Sequence, residues 1–184
     1  MDHPFLHLSP TQFRRGFAAS VVATLVVMVG LVAMATGFSA KEDAAGKRYD
    51  MVQFELAYIP ALSAHIAETW GPEGRAMAWW QTVLDFVFLV AYSNAIAFGV
   101  LFVAERGFMR RWFLGFAVFL AYGQWFSALC DVIENLCLLR ILSAGAVSPL
   151  PELAAICAGP KFAFVLAGLL FFVAGLPSRF LFRK

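Results

Sequence analysis

Charge is scarce in this sequence. Asp, Glu, Lys and Arg make up 14% of its 184 residues, where a soluble domain carries about 25%. The formal net charge is only +2, and no basic patch alternates with aromatics, so nucleic acid is not expected as a partner. Cysteine is rare as well. Cys130, Cys137 and Cys157 all fall in apolar stretches without a CxxC pair, and they read as small buried hydrophobes that reveal no redox compartment. Histidine is confined to His3, His7 and His65, none of them in an apolar run. Asp131 and Glu134 have a spacing that metal ligands can use, but without histidine a di-metal carboxylate site is not expected. There is no Gly-x-Ser-x-Gly, Walker loop, HExxH or dinucleotide fingerprint. No internal repeat or low-complexity segment is found. No cofactor is expected, and no reaction can be read from the residues.

What the chain has instead is apolar length. Hydrophobic residues make up 61%, more than a water-soluble fold of this size can hide, so lipid is the expected solvent for much of the surface. Four apolar stretches run from about 17–38, 76–104, 112–142 and 153–176. Each exceeds the roughly 20 residues that a helix needs to cross the hydrocarbon core. Continuous runs of this length exclude barrel strands. The expected fold is all-α, a single membrane domain built as a four-helix bundle. Arg14 and Arg15 before the first run faintly resemble a twin-arginine signal, but the run is longer than a signal's apolar core of about 7–15 residues, and a retained helix is expected. Twenty Phe residues read as lipid-facing or core packing, and Trp70, Trp79, Trp80 and Trp112 as interfacial aromatics near span ends.

Lys and Arg set the expected orientation. Arg14, Arg15, Arg106, Arg110, Arg111, Arg179, Arg183 and Lys184 collect on one side, against Lys41, Lys47, Arg48 and Arg75 on the other, with Arg140 near its edge. The richer side is the cytoplasmic one, which places both termini there. Residues 105–111 then make a tight basic turn, and residues 143–152 a short loop rich in Gly and Pro. The loop at 39–75 is the long connection, on the outer side. Val52, Phe54, Leu56 and Tyr58 alternate with Gln53, Glu55 and Ala57, which predicts a strand-like extended segment. Pro60 suits the start of a helix and Gly71-Pro72 its end, with Leu62, Ile66 and Trp70 along one amphipathic face.

The chemistry, if any, lies in the ionisable residues inside the apolar runs. Asp85 falls in the second, Asp131 and Glu134 in the third, and Lys161 in the fourth. A charge at a helix centre costs about 2.5–3.5 kcal/mol on insertion scales, so such residues usually face a bundle interior or a wet cavity. Steps of three and four align Gln124, Ser127, Asp131, Glu134 and Asn135 on the third helix, with Leu120 and Leu138 extending the face. Gln81, Thr82, Asp85 and Tyr92 form a weaker stripe on the second. Asp85 and Lys161 are expected roughly 12–14 Å below the outer edge. The expectation is one outward-leaning polar chamber lined by Asp85, Tyr92, Gln124, Asp131, Glu134, Asn135 and Lys161. Glu55, His65 and Glu68 of the loop would form its lid.

Three carboxylates against one lysine leave two surplus negative charges if all ionise, which protons or a cation must offset. That favours binding of a small or lipid-like ligand, with a carboxylate as general acid or base if the site is catalytic. A proton- or cation-coupled transporter or accessory subunit, which four helices would support only as an oligomer, stays open. So does a structural subunit of a larger membrane complex, its charges fixing helix register. His3 and His7 share a spacing of four but read as a solvated tail, and His65 with Glu68 as a surface contact.

The runs Trp-Gly-Pro-Glu-Gly-Arg at 70–75, Asp85 to Tyr92, Asp-Val-Ile-Glu-Asn at 131–135 followed by Leu138 and Arg140, Lys161-Phe162, and Phe54 to Ala57 resemble a family of small bacterial membrane proteins with four predicted spans. The resemblance covers roughly residues 50–165. It implies that architecture and a bacterial inner membrane, and no assigned activity.

Overall fold

The computed structural model describes residues 2–105 and 111–181, and its elements are helical throughout. Arg106, Arg110, Arg183 and Lys184 lie outside the described residues, as do the side chains of Arg111, Trp112 and Arg179. A 3-10 turn at Pro4–His7 precedes α1 (Pro10–Ser39), α2 (Met51–Glu55), α3 (Pro60–Glu105), α4 (Arg111–Ala144) and α5 (Leu150–Leu181). The four long helices are each long and apolar enough to cross a membrane. All four exceed the expected spans at both ends, because hydropathy marks the lipid-facing stretch while caps mark the helix end.

Those caps are specific. Ser9 and Gln12 bond reciprocally, the Gln12 Oε1 accepting from the Ser9 amide at 3.0 Å and the Ser9 hydroxyl from the Gln12 amide at 3.3 Å. Pro10 then fills the first helical position of α1, where a missing N–H costs nothing. At the end of α4, Gly145 takes φ 97° and its amide donates to the Ile141 carbonyl at 2.8 Å, closing the helix in the left-handed form that glycine tolerates.

Two compact units share these helices, each taking part of α1, α3, α4 and α5. The first gathers residues 1–24, 90–129 and 161–184. Its core joins Phe13, Ala97, Phe98, Leu101, Val118 and Ala121, with a second cluster of Val100, Ala104, Ala117 and Leu120 beside it. The second gathers residues 25–89 and 130–160. There the loop after α1 packs Tyr49, Phe54, Ile66 and Trp70 against Cys137, Leu138 and Ile141 of α4.

The loop differs from the extended segment that alternation predicted. Asp50 and Gln53 form a complete capping box and wind Met51–Glu55 into α2. The helix turns Phe54 inward, while Val52 and Leu56, which alternation placed on the same side, are exposed. Two local hydrogen bonds outweigh the weak preference of a short alternating run. Among the described residues the only β pairing is a single bridge between Glu42 and Arg48.

The amphipathic helix starts at Pro60 and breaks at Gly71, as expected from their chemistry. Gly71 has φ 68° and ψ −179°, a region essentially reserved for glycine. The break frees the Trp70 carbonyl, and the Lys41 ammonium donates to it at 2.7 Å, a cationic cap at a helix C-terminus. The buried face is Ser63, Ile66, Ala67 and Trp70; Leu62 is exposed. Trp70, expected as an interfacial aromatic, is fully buried within the protein.

Candidate functional site

The polar stripe on α4 is buried at every position. Gln124, Ser127, Asp131, Glu134 and Asn135 are all 2% exposed or less, and Leu120 and Leu138 continue the buried face. Helical spacing alone accounts for this, since steps of three and four return to one side. On α3, Gln81, Thr82 and Tyr92 are buried and Asp85 is half-buried.

The residues expected to share one chamber are divided between the two units. In the second unit, the Asn135 amide donates to Asp85 Oδ2 at 2.8 Å and ties α4 to α3. Asp131 and Glu134 flank Asn135 on the same buried face of α4. Gln81, one turn before Asp85, donates to the Leu31 carbonyl of α1 at 2.9 Å. Its Oε1, together with Ser63 Oγ and Glu152 Oε2, makes no hydrogen bond among the described residues. Buried acceptors without partners are uncommon in native folds.

The first unit holds the other three residues. The Tyr92 and Ser127 hydroxyls share a hydrogen bond at 3.3 Å, and Ser127 also donates to the Lys161 carbonyl at 3.2 Å. The Gln124 amide donates to the Phe164 carbonyl at 2.7 Å and to Leu120 of its own helix at 3.3 Å. Lys161 is buried, its ammonium 4.7 Å from the centre of the Phe162 ring. Measured interhelical hydrogen bonds in membranes average about 0.6 kcal/mol, so these contacts orient helices more than they bind them.

The loop residues behave differently from a base–acid pair of His65 with Glu68. His65 Nε2 donates to Asp43 Oδ2 at 3.1 Å, and the Tyr49 hydroxyl donates to the same oxygen at 3.1 Å. Asp43 Oδ1 accepts from the amides of Ala45 and Lys47, both at 2.9 Å. Asp43 thus organises the loop, and sequence reasoning missed it because its partners lie up to 22 residues away. Glu68 is exposed and Glu55 half-buried.

These donors hold the Asp43 carboxyl well below the usual carboxylate range, the Lys47 amide first and His65 next, with burial opposing. A carboxyl lowered on folding stabilises the loop above its ordinary value of 3.8, and that contribution is lost as pH falls below it. Loop closure should therefore stay constant from neutral pH to about pH 4 and weaken below it. An Asp43→Asn variant should lack that acid phase. Cleavage of the loop by an acid protease across this range checks it, and identical acid phases in both proteins would exclude Asp43 as the cause.

No protein-family model, curated protein or solved structure matches this chain. Among the described residues no group of three His, Cys, Asp or Glu side chains is arranged to hold a metal ion. The three cysteines are buried and unbridged. What the geometry offers is a buried set of carboxylate and amide groups on α3 and α4 of the second unit, which also contains a loop packed against Cys137, Leu138 and Ile141 of α4.

Proposed function

We propose that the second unit binds a small or lipid-like ligand through Asp85, Asp131, Glu134 and Asn135, with the loop at 39–59 and the helix from Pro60 to Trp70 as its cover. The observation that carries this reading is the burial of Asp131, Glu134 and Asn135 on one face of α4, with Asn135 bonded to Asp85 on α3. Three carboxylates and one lysine occur within the apolar runs, so the spans need protons or a further cation for balance. A donor-bearing headgroup would meet acceptors already out of water, where electrostatic attraction is strongest. The Gln81 and Ser63 oxygens in the same unit, without hydrogen-bond partners among the described residues, support a visitor that donates hydrogen bonds. On this reading the protein belongs to a bacterial inner membrane with both termini cytoplasmic, an orientation that the Lys and Arg bias supports.

Native mass spectrometry of the purified protein, followed by lipid extraction, tests the proposal. Wild type should keep a bound mass that survives detergent exchange. Asp131→Asn, nearly identical in shape, should lose it at least about tenfold, equivalent to 1.4 kcal/mol, while unfolding at the wild-type temperature. A wild type that carries nothing, or an Asp131→Asn variant that fails to assemble, would instead make the acids a register-fixing network.

A further inference from the structure

His3 is the residue whose position departs furthest from its sequence context. It was expected in a solvated tail, yet it is 0% exposed within the first unit. Its ring lies 4.6 Å from Tyr122, 4.8 Å from Trp125 and 4.9 Å from Phe5, centre to centre. Phe5 stacks on Phe98 at 3.8 Å with the planes 3° apart. The Tyr122 hydroxyl donates to the Asp2 carbonyl at 3.1 Å. The segment before α1 therefore sits in an aromatic recess built by α3 and α4.

One atom of that ring does structural work. His3 Nδ1 accepts the Phe5 amide at 3.2 Å and so caps the Pro4–His7 turn. An accepting Nδ1 means a neutral ring with its proton on Nε2. Nε2 has no hydrogen-bond partner among the described residues. We propose that residues 2–8 form an acid-released latch, in which neutral His3 anchors the segment in the aromatic recess and protonation of the ring frees it.

The physical reason is a reversal of polarity. A second ring proton must go to Nδ1, which turns the capping acceptor into a donor that faces the Phe5 N–H. The cap is lost, and a buried imidazolium is left with an unmatched donor on either side of the ring. Attraction between the cation and the three neighbouring rings offsets part of this. The carboxylate nearby is already engaged: Asp2 Oδ1 accepts the His3 amide at 2.9 Å, and Asp2 Oδ2 pairs with His7 at 2.7 Å. From α4 the titratable group facing His3 is Tyr122, and α3 brings the apolar Phe98 to the recess. On α1, Phe13 packs on Phe98, while Arg14 and Arg15 are exposed. Burial lowers the His3 pKa from 6.5 and Asp2 partly restores it. A group lowered on docking favours the docked state above 6.5 and loses that advantage as pH falls through the lowered value.

Fluorine NMR tests the latch in full-length protein labelled with 5-fluorotryptophan and held in nanodiscs. The Trp125 signal is assigned by its loss in Trp125→Phe, and Phe5→Asp at pH 8 supplies the undocked position. In wild type the Trp125 signal should move to that position with a midpoint below 6.5, shared by the His3 ring carbon signal. His7→Gln should leave the transition in place. His3→Asn, which keeps an acceptor for the Phe5 amide, should abolish it, whether the variant rests docked or undocked. A Trp125 signal that stays fixed while the His3 ring titrates would overturn the proposal, as would the same movement in His3→Asn.

Discussion

Trp70→Ala should destabilise the second unit by about 3–5 kcal/mol, the range for deleting a large buried aromatic. Trp70 is completely buried, with Phe38 at 4.6 Å and Phe54 at 5.0 Å between ring centres. Its indole N–H donates to the Tyr49 carbonyl at 3.0 Å. Its own carbonyl receives Lys41. A single residue thus joins the end of α1, the loop turn, α2 and the helix that begins at Pro60. Truncation opens a cavity among aromatic rings and leaves the Tyr49 carbonyl without its donor, which adds about 1 kcal/mol. Trp70→Phe keeps most of the packing and loses the N–H, so it should cost nearer that smaller figure. Thermal unfolding in detergent gives the size of the effect, and protease cleavage within residues 39–59 gives its place. Equal losses from Phe and Ala would mean that packing is not what Trp70 contributes.

Gly123→Val should cost about 1–3 kcal/mol through overpacking, and more if the adjacent hydrogen bond goes with it. In the first unit a Cβ at Gly123 would collide with the Phe164 ring of α5. That ring also meets Phe119 and Phe126, at 5.9 and 5.8 Å between centres, so turning away would break those contacts. The bare backbone lets α5 come close enough for Gln124 to reach the Phe164 carbonyl. Small residues serve membrane helix pairs in this way, because lipid supplies no hydrophobic drive between helices. Gly159 is the control. Beyond its chain neighbours nothing lies within 4 Å of its Cβ position, so Gly159→Ala meets no other helix and should shift stability by less than about 1 kcal/mol, helix preference favouring it and the following Pro160 opposing it. Unfolding of the three proteins in one detergent decides between packing and propensity. Equal shifts at Gly123 and Gly159 would refute close packing as the role of Gly123.

What the sequence revealed followed periodicity. The α4 stripe was legible because five polar residues in an apolar run have few other ways to avoid lipid, and the break at Gly71-Pro72 because glycine opens a backbone region closed to other residues and proline disfavours a helical residue before it. The loop resisted for the opposite reason. Alternation over 52–58 is too short to override the capping bonds of Asp50 and Gln53, and Leu62 matched an apolar period that the helix does not bury. His3 was beyond reach, since its burial depends on Tyr122 and Trp125 from the far half of the chain. Asp43 carried no visible signal either, because an acid among Lys41, Glu42, Lys47 and Arg48 looks like solvated loop. The grouping of the seven polar residues was read from helical phase, which fixes the face that each residue takes on its own helix.

The outer surface of α1 has a consequence for handling the protein. Val22, Leu25, Val26, Val29 and Val32 are exposed along it, Val26 and Val29 at 66% and 68%. The helix is 30 residues long, or about 45 Å, against a hydrocarbon layer of about 30 Å. It must therefore lean or project, and its seating answers to acyl-chain length. Amphiphiles with short tails would strip solvent from those valines unevenly, so the thickness of the surrounding film is a variable to match before ionic strength.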